Sequence, residues 1–302
     1  MANRDFDRGI SLSNAGGYWR GQFAAMGGPC EVLCETHSEA NAERLTRIAA
    51  DEVWRIEEKF SRYRSDNIVD RINRASGSAV EVDAETAQLI DFAKTLYEIS
   101  DGGFDITSGV LRKAWHFDGS DNVPSSERVA EILKSVGWDQ VTWSHPVLRM
   151  PVGMQIDFGG IGKEYAVDRA AAMIRESTDV SCLVNFGGDL AVTSAPKTFN
   201  HWVVGIEAIA ASASIPANIL NLRVGALATS GDARRFLLKD GIRYSHILDP
   251  RNGWPVAEAP RSVTVAADTC TQAGMLSTLA ILEGSAAEAF LDAQSVQYWC
   301  DR

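Results

Sequence analysis

The sequence predicts an α+β fold in two lobes. Strand-like segments crowd the middle of the chain, helical periodicity gathers towards its ends, and no strict β–α alternation runs between them, so a doubly wound sheet is not expected. The 302 residues, 45% hydrophobic and 23% charged, suffice for one large globular domain. With no repeat, low-complexity tract or linker, residues 18–302 read as a single unit behind a loose arm, residues 1–17.

Taken in order, Tyr18–Ala25 and Cys30–Glu35 read as strands around a Met26-Gly27-Gly28-Pro29 turn. Ser38 is placed to cap a helix from Glu39 to Phe60, with Leu45, Ile48, Val53, Ile56 and Phe60 on one face. A polar turn, Ser61–Asp66, follows with Tyr63 in its middle. Asp83 opens a second helix that Gly102-Gly103 stop. A short helix over about 126–136 and a hairpin-like stretch, Val141–Met150, precede a strand at Met154–Phe158. Gly159, Gly160 and Gly162 then turn the chain into a helix. Cys182–Phe186, Trp202–Glu207, Ile219–Val224 and Arg243–Leu248 fit strands. Ser262–Ala267 is the last clear one, before a helix from Thr271 to Leu282.

The net charge of −11 argues against a nucleic-acid partner. No apolar run is long enough for a signal peptide or a membrane span. Five Cys, with no Cys-x-x-Cys pair, suit buried reduced thiols in the cytoplasm.

The glycine turn at 159–162 would point free backbone N–H groups and a positive helix end at one spot, which suits a phosphate. Lys163 adds a cation and Asp157 an acceptor. A P-loop is excluded, because Asp157 stands where its first glycine would be and Glu164 where Ser or Thr would follow the lysine. A dinucleotide fingerprint lacks its third glycine, Tyr165 standing there. Asp179 nonetheless lies at about ribose-binding distance and keeps that alternative open. Further glycine turns with acids, Gly187-Gly188-Asp189, Ser230-Gly231-Asp232 and Asp249–Gly253, each follow a strand, as if several strand ends met one ligand. His246 stands close to the last of them.

Seven motifs occur in order: Met26-Gly27, Phe60-Ser-Arg-Tyr63, Gly103-Phe-Asp-Ile-Thr107 with Trp115, Asp157-Phe-Gly-Gly-Ile-Gly-Lys163, Asn185–Asp189, Thr229–Asp232 and Ser245–Gly253. Together they resemble the ApbE family, the FAD:protein FMN transferases, over about residues 20–285. The resemblance implies a T-fold-related architecture with FAD in a cleft between the lobes. It also implies a reaction in which a Thr or Ser hydroxyl of an acceptor flavoprotein takes FMN from FAD and AMP leaves. It further implies flavin-ring contacts at Met26 and Tyr63, and other FAD contacts at Gly103, Phe104, Asp105, Asp157, Lys163 and Ile247. His246 and Asp249 are expected in catalysis, and Gly160, Ser277 and Thr278 around Mg²⁺.

At one place the sequence departs from that pattern. The family's acidic metal ligand is Gly274 here, and a glycine has no carboxylate to offer a hard cation. Glu164 follows Lys163 where the family more often has a small residue. A non-catalytic FAD carrier and an FAD pyrophosphate hydrolase are the alternatives to a transferase. Asp268 is the nearby acid considered as a substitute ligand.

Overall fold

The computed structural model describes residues 8–207, 218–232 and 235–302. Strands β1 (Ser11–Asn14), β2 (Trp19–Ala25) and β3 (Gly28–Cys34) open it as an antiparallel meander. Helix α1 (Glu39–Phe60) starts where Ser38 Oγ accepts the Asn41 N–H at 3.2 Å. It buries Leu45, Ala49, Val53, Ile56 and Phe60. Gly21 lets this helix close on β2, since a Cβ there would lie 2.0 Å from Thr46 Oγ1.

Helix α2 (Ile68–Asn73), strand β4 (Val80–Glu81) and helix α3 (Ala84–Ile99), capped by Asp83, come next. They are followed by a 3-10 helix (Ile106–Lys113), α4 (Ser126–Leu133) and the β5 (Thr142–Ser144)–β6 (Val147–Arg149) hairpin. Helix α5 (Gly162–Ser177) leads into the hairpin of β7 (Cys182–Phe186) and β8 (Asp189–Val192). Then come the hairpin of β9 (Trp202–Ile206) and β10 (Asn218–Leu222), strand β11 (Gly225–Gly231), and the hairpin of β12 (Phe236–Lys239) and β13 (Ile242–Ser245). Strand β14 (Ser262–Ala267), helices α6 (Cys270–Leu282) and α7 (Ala287–Gln294) and strand β15 (Gln297–Asp301) complete the described chain.

The main sheet runs β1-β2-β3-β7-β8-β11-β14-β15, with every neighbour antiparallel. Alternate residues of a strand face opposite sides. Val184 and Phe186 of β7 accordingly join the core under α1, α5 and α6, while Leu183 packs on the other face with Trp202 of β9. A smaller lobe gathers around Trp115 with Val110, Leu111, Val129, Ile132 and Leu237. Trp115 Nε1 donates to the Gly253 carbonyl at 2.9 Å, tying the 249–254 turn to that lobe.

The α+β expectation holds, and three local expectations are corrected. Ser11–Asn14, expected in a loose arm, is the edge strand of the sheet, while residues 1–7 lie outside the described residues. Ser262–Ala267 is not the last strand, because β15 pairs with it. Met154–Phe158 is extended but joins no sheet. Its backbone is satisfied by a side chain instead. Asn73 Oδ1 accepts the Ile156 N–H at 2.7 Å, and Asn73 Nδ2 donates to the Ile156 carbonyl at 3.1 Å. The Asp157 N–H goes to the Ile106 carbonyl at 2.9 Å. An asparagine can imitate a strand partner in this way because its amide carries a donor and an acceptor together.

Asn73 therefore sets the segment that delivers Asp157 to the glycine turn. Asn73→Ala leaves two backbone groups without partners and should cost about 1–3 kcal/mol. Urea unfolding should show a lower midpoint at an unchanged slope; an unmoved midpoint would mean that other groups hold this segment.

Candidate functional site

Helix α5 begins at Ile161 without a side-chain cap. The Gly162 N–H turns back to the Phe158 carbonyl at 2.7 Å and the Glu164 N–H to its own carboxyl, and the helix dipole adds positive potential at the turn. Phe158, packed edge-on to Phe60 at 5.4 Å, brings the end of α1 against this turn. Arg62, just beyond α1, pairs with Asp157, and its other terminal nitrogen donates to Tyr63 Oη at 2.9 Å. Burial opposes the Arg62 charge, but Asp157 and Tyr63 together outweigh it and raise the guanidinium pKa. The Arg62 guanidinium lies 4.9 Å from the Tyr63 ring centroid. The ring is 78% exposed, so it is available to a ligand.

Two tight hairpins flank the turn at one end of the sheet. Met26 and Gly27 both have positive φ (50° and 75°) between β2 and β3, and so do Gly187 and Gly188 (65° and 103°) between β7 and β8. Both are type I′ geometry. A non-glycine residue in the left-handed region costs about 1–2 kcal/mol. Met26 is held there by its position in the hairpin and by its N–H, which donates to the Glu57 carboxylate. No atom lies within 4 Å of a Cβ built at Gly27, Gly28, Gly187 or Gly188, so the ligand side of both hairpins is open backbone.

Lys163 Nζ lies 2.6 Å from Asp189 Oδ2, an ion pair out of line for a hydrogen bond. Asp189 Oδ1 accepts the Thr229 N–H at 3.0 Å. Burial works against the Lys163 charge, and Asp189 together with Glu164 more than restores it. On the next strand Ser230 Oγ meets Ser277 Oγ at 2.9 Å and Thr278 Oγ1 at 2.8 Å. The sheet end, the α5 turn and the middle of α6 thus form one place.

Phe104 reaches the same place, its ring 3.0 Å from where a Gly160 Cβ would stand. Gly103 closes the turn before it, its N–H donating to the Ser100 carbonyl at 3.0 Å. Asp105 is buried with both oxygens engaged, by the Thr107 N–H at 2.7 Å and the Trp138 N–H at 2.8 Å. Asp249 is likewise committed, forked onto Arg251 at 2.8 and 2.9 Å. These two carboxylates shape loops. His246, in the smaller lobe beside half-buried Ile247, has Nδ1 3.2 Å from the Arg235 carbonyl. Burial, then the Arg235 charge, pushes its pKa down, while Asp232 at the end of β11 pulls it up. Arg243 Nε donates to Asp232 Oδ2 at 2.7 Å, which ties this lobe to the sheet end.

The motif-based site list lacked Arg62, Asp189 and Glu164. Arg62 and Asp189 stand inside the quoted motifs, so adjacency could have found them. Glu164 was visible only as an unusual residue after Lys163. It is buried, and its Oε2 has no hydrogen-bond partner. Among the described residues no three His, Cys, Asp or Glu side chains converge as a ready-made metal site. Asp268 is exposed before the start of α6, about 9 Å along the helix axis from Gly274. A cleft of about 570 Å³ lies elsewhere, between Tyr97, Asp101, Asp105, Asp139 and Arg251. Its acidic lining would repel a phosphate, which favours the α5 turn as the site.

A model of the ApbE family matches residues 26–299. An FAD:protein FMN transferase of Klebsiella pneumoniae is 32% identical over 80% of this chain and 74% of its own length. That of Treponema pallidum is 31% identical over 74% and 67%. Among solved structures, an ApbE protein of Thermotoga maritima superposes with a TM-score of 0.84 at 31% identity, over 94% of each chain. The Pseudomonas stutzeri flavinyl transferase ApbE gives 0.80 at 26%, over 96% of this chain and 91% of its own.

Desolvation, then the charge of Asp189, pushes the Glu164 carboxyl from an ordinary 4.5 up to about 8. A carboxyl raised on folding is protonated in both states at low pH. As pH rises the unfolded chain ionises first, so stability falls between about 4.5 and about 8. With EDTA present, Glu164→Gln should match the wild type near pH 5 and exceed its melting temperature near pH 8. Parallel curves across that range would show that Glu164 titrates normally.

Proposed function

The chain belongs to the ApbE family, and from that premise we propose that it is an FAD:protein FMN transferase. It would move FMN from FAD to a Thr or Ser of an acceptor flavoprotein, releasing AMP. The observation that carries this assignment is the uncapped start of α5 with Lys163 above it, set between two open glycine hairpins and an exposed Tyr63. A pyrophosphate fits the first part and a flat ring the second.

In this assignment FAD is the substrate. Met26 and Tyr63 hold the flavin ring, the thioether and the aromatic face suiting a conjugated system. Gly103 and Phe104 support the turn from beneath, and Ile247 lines the cleft from the smaller lobe. The α5 amides and Lys163 carry the pyrophosphate, with Lys163 shared between it and Asp189. Arg62 holds Asp157 at the mouth of the turn. The acceptor hydroxyl attacks the FMN-side phosphorus, an O–P bond forms, and the bond to AMP breaks. His246, kept neutral by burial and by Arg235, takes the hydroxyl proton. Asp105 and Asp249 keep the loops on either side in place.

Mg²⁺ would neutralise the pyrophosphate charge. The Gly160 carbonyl and the Ser277 and Thr278 oxygens fit a cation that keeps several waters and relies on substrate phosphates. Ser277 and Thr278 already share hydrogen bonds with Ser230, yet each hydroxyl retains acceptor capacity. The described cysteines are all free and four of the five are buried, which suits the cytoplasm. No described helix is long and apolar enough to cross a membrane.

The test mixes purified protein, FAD, Mg²⁺ and an acceptor flavoprotein bearing a Thr or Ser site. FMN should remain on the denatured acceptor, and AMP should appear in equal amount. Tyr63→Ala should weaken FAD binding by about 0.5–1.5 kcal/mol, and His246→Asn should slow transfer by about 10²–10⁴-fold with little change in FAD affinity. FAD binding without AMP release or a labelled acceptor would leave a carrier, and the transferase assignment would fall.

A further inference from the structure

Gly274 removes a side chain from the middle of α6, and the vacated space is filled from another helix. A Cβ at Gly274 would lie 2.5 Å from Glu164 Cγ, 2.8 Å from Oε1 and 2.9 Å from Cδ. The Glu164 side chain, crossing from the first turn of α5, therefore occupies the volume a residue at 274 would take. It is only 9% exposed, and Oε2 is unpartnered.

Packing alone is a poor account of it. An apolar side chain would fill the same volume without an orphan oxygen, which costs about 1–3 kcal/mol. Self-capping explains part of the arrangement, since the carboxyl accepts from its own backbone N–H at the start of the helix. That leaves Oε2 unused. Lys163, the nearest cation by sequence, turns to Asp189 instead. On the α6 side, Ser277 Oγ bonds the Gly274 carbonyl at 3.0 Å, next to the Ser230–Thr278 contact. The Glu164 carboxyl therefore lies against the turn of α6 that carries Ser277 and Thr278, the hydroxyls assigned above to the cation.

We infer that Glu164 supplies from α5 the metal carboxylate that α6 lacks at Gly274, so that the pair is an exchange of one ligand between two helices. The inference rests on the metal-assisted transferase assignment. It also changes what Gly274 means. The missing acid is no mark of a lost activity, and Asp268 is not needed as a substitute. Gly274→Asp in the presence of Glu164 would crowd two carboxylates into one space rather than complete a site.

Mn²⁺ can stand in for Mg²⁺, with its binding to the FAD-loaded protein read from the loss of the free-ion electron paramagnetic resonance signal. Glu164→Gln keeps the shape and removes the charge, and should weaken Mn²⁺ at least about tenfold while leaving metal-free FAD affinity, and the melting temperature near pH 5, close to wild type. Gly274→Asp alone should bind Mn²⁺ no better than wild type and melt lower. The exchange variant, Glu164→Gly with Gly274→Asp, should recover tight Mn²⁺ binding, and it keeps the test open should Glu164→Gln fail to fold. Wild-type Mn²⁺ affinity in Glu164→Gln, or none in a folded exchange variant, overturns the inference alone. An FAD-loaded wild type that binds no Mn²⁺ overturns the metal-assisted assignment, and the inference with it.

Discussion

Everything at this site depends on leaving the first turn of α5 uncapped. Most helix starts here are closed by their own side chains: Ser38, Asn67, Asp83, Ser125 and Thr269 each accept a first-turn N–H. Helix α5 has Ile161 at that position and no such bond. Without an N-cap side chain, the turn is supported from outside. Asn73 clamps Ile156, Arg62 holds Asp157, and Phe60 packs on Phe158. The supports come from the end of α2 and from the end of α1 with the turn after it, so the turn is held without an N-cap side chain.

The charges around the turn follow from the same requirement. A half-buried lysine loses part of its hydration and is favoured beside a counter-charge. Asp189 provides it, and sits there because the Gly187-Gly188 hairpin reverses β7 into β8 at that height. Asp189 is in turn fixed by the Thr229 N–H on the neighbouring β11. The cation is thus positioned by sheet register more than by its own helix. A one-residue slip of β8 would turn Asp189 to the opposite face and leave Lys163 unpaired.

Much of the fold was legible in the sequence. The α1 and α3 boundaries follow from Ser38 and Asp83 as caps and from apolar spacing, both local signals. What escaped was held by distant partners. Ser11–Asn14 carries a weak pattern and is a strand because β2 lies beside it. Met154–Phe158 has strand periodicity and no strand neighbour, since Asn73 satisfies its backbone. At the site, the motif residues could be listed, but their division of labour could not. Asp105, Asp157 and Asp249 look alike in sequence, and only the structure gives their partners: backbone N–H groups for Asp105, Arg62 and the Gly159 N–H for Asp157, and Arg251 for Asp249.

The Glu164–Gly274 pairing is the clearest case of a relation that no window of sequence contains. Its geometry comes from one anchor. The Asp168 carboxylate accepts the Cys270 and Thr271 N–H groups, each at 2.8 Å, and so fixes the start of α6 against α5. From that anchor, one turn back along α5 reaches Glu164 and one turn forward along α6 reaches Gly274. The two positions face each other because the anchor sets the register of the helix pair. A carboxylate can then enter the space between them from either side, and what the fold fixes is the space. Only one of the two positions can carry a long side chain, since a Cβ on Gly274 already meets Glu164. Size at one position and its absence at the other are therefore one constraint, and a substitution at either is intelligible only with its opposite residue in view.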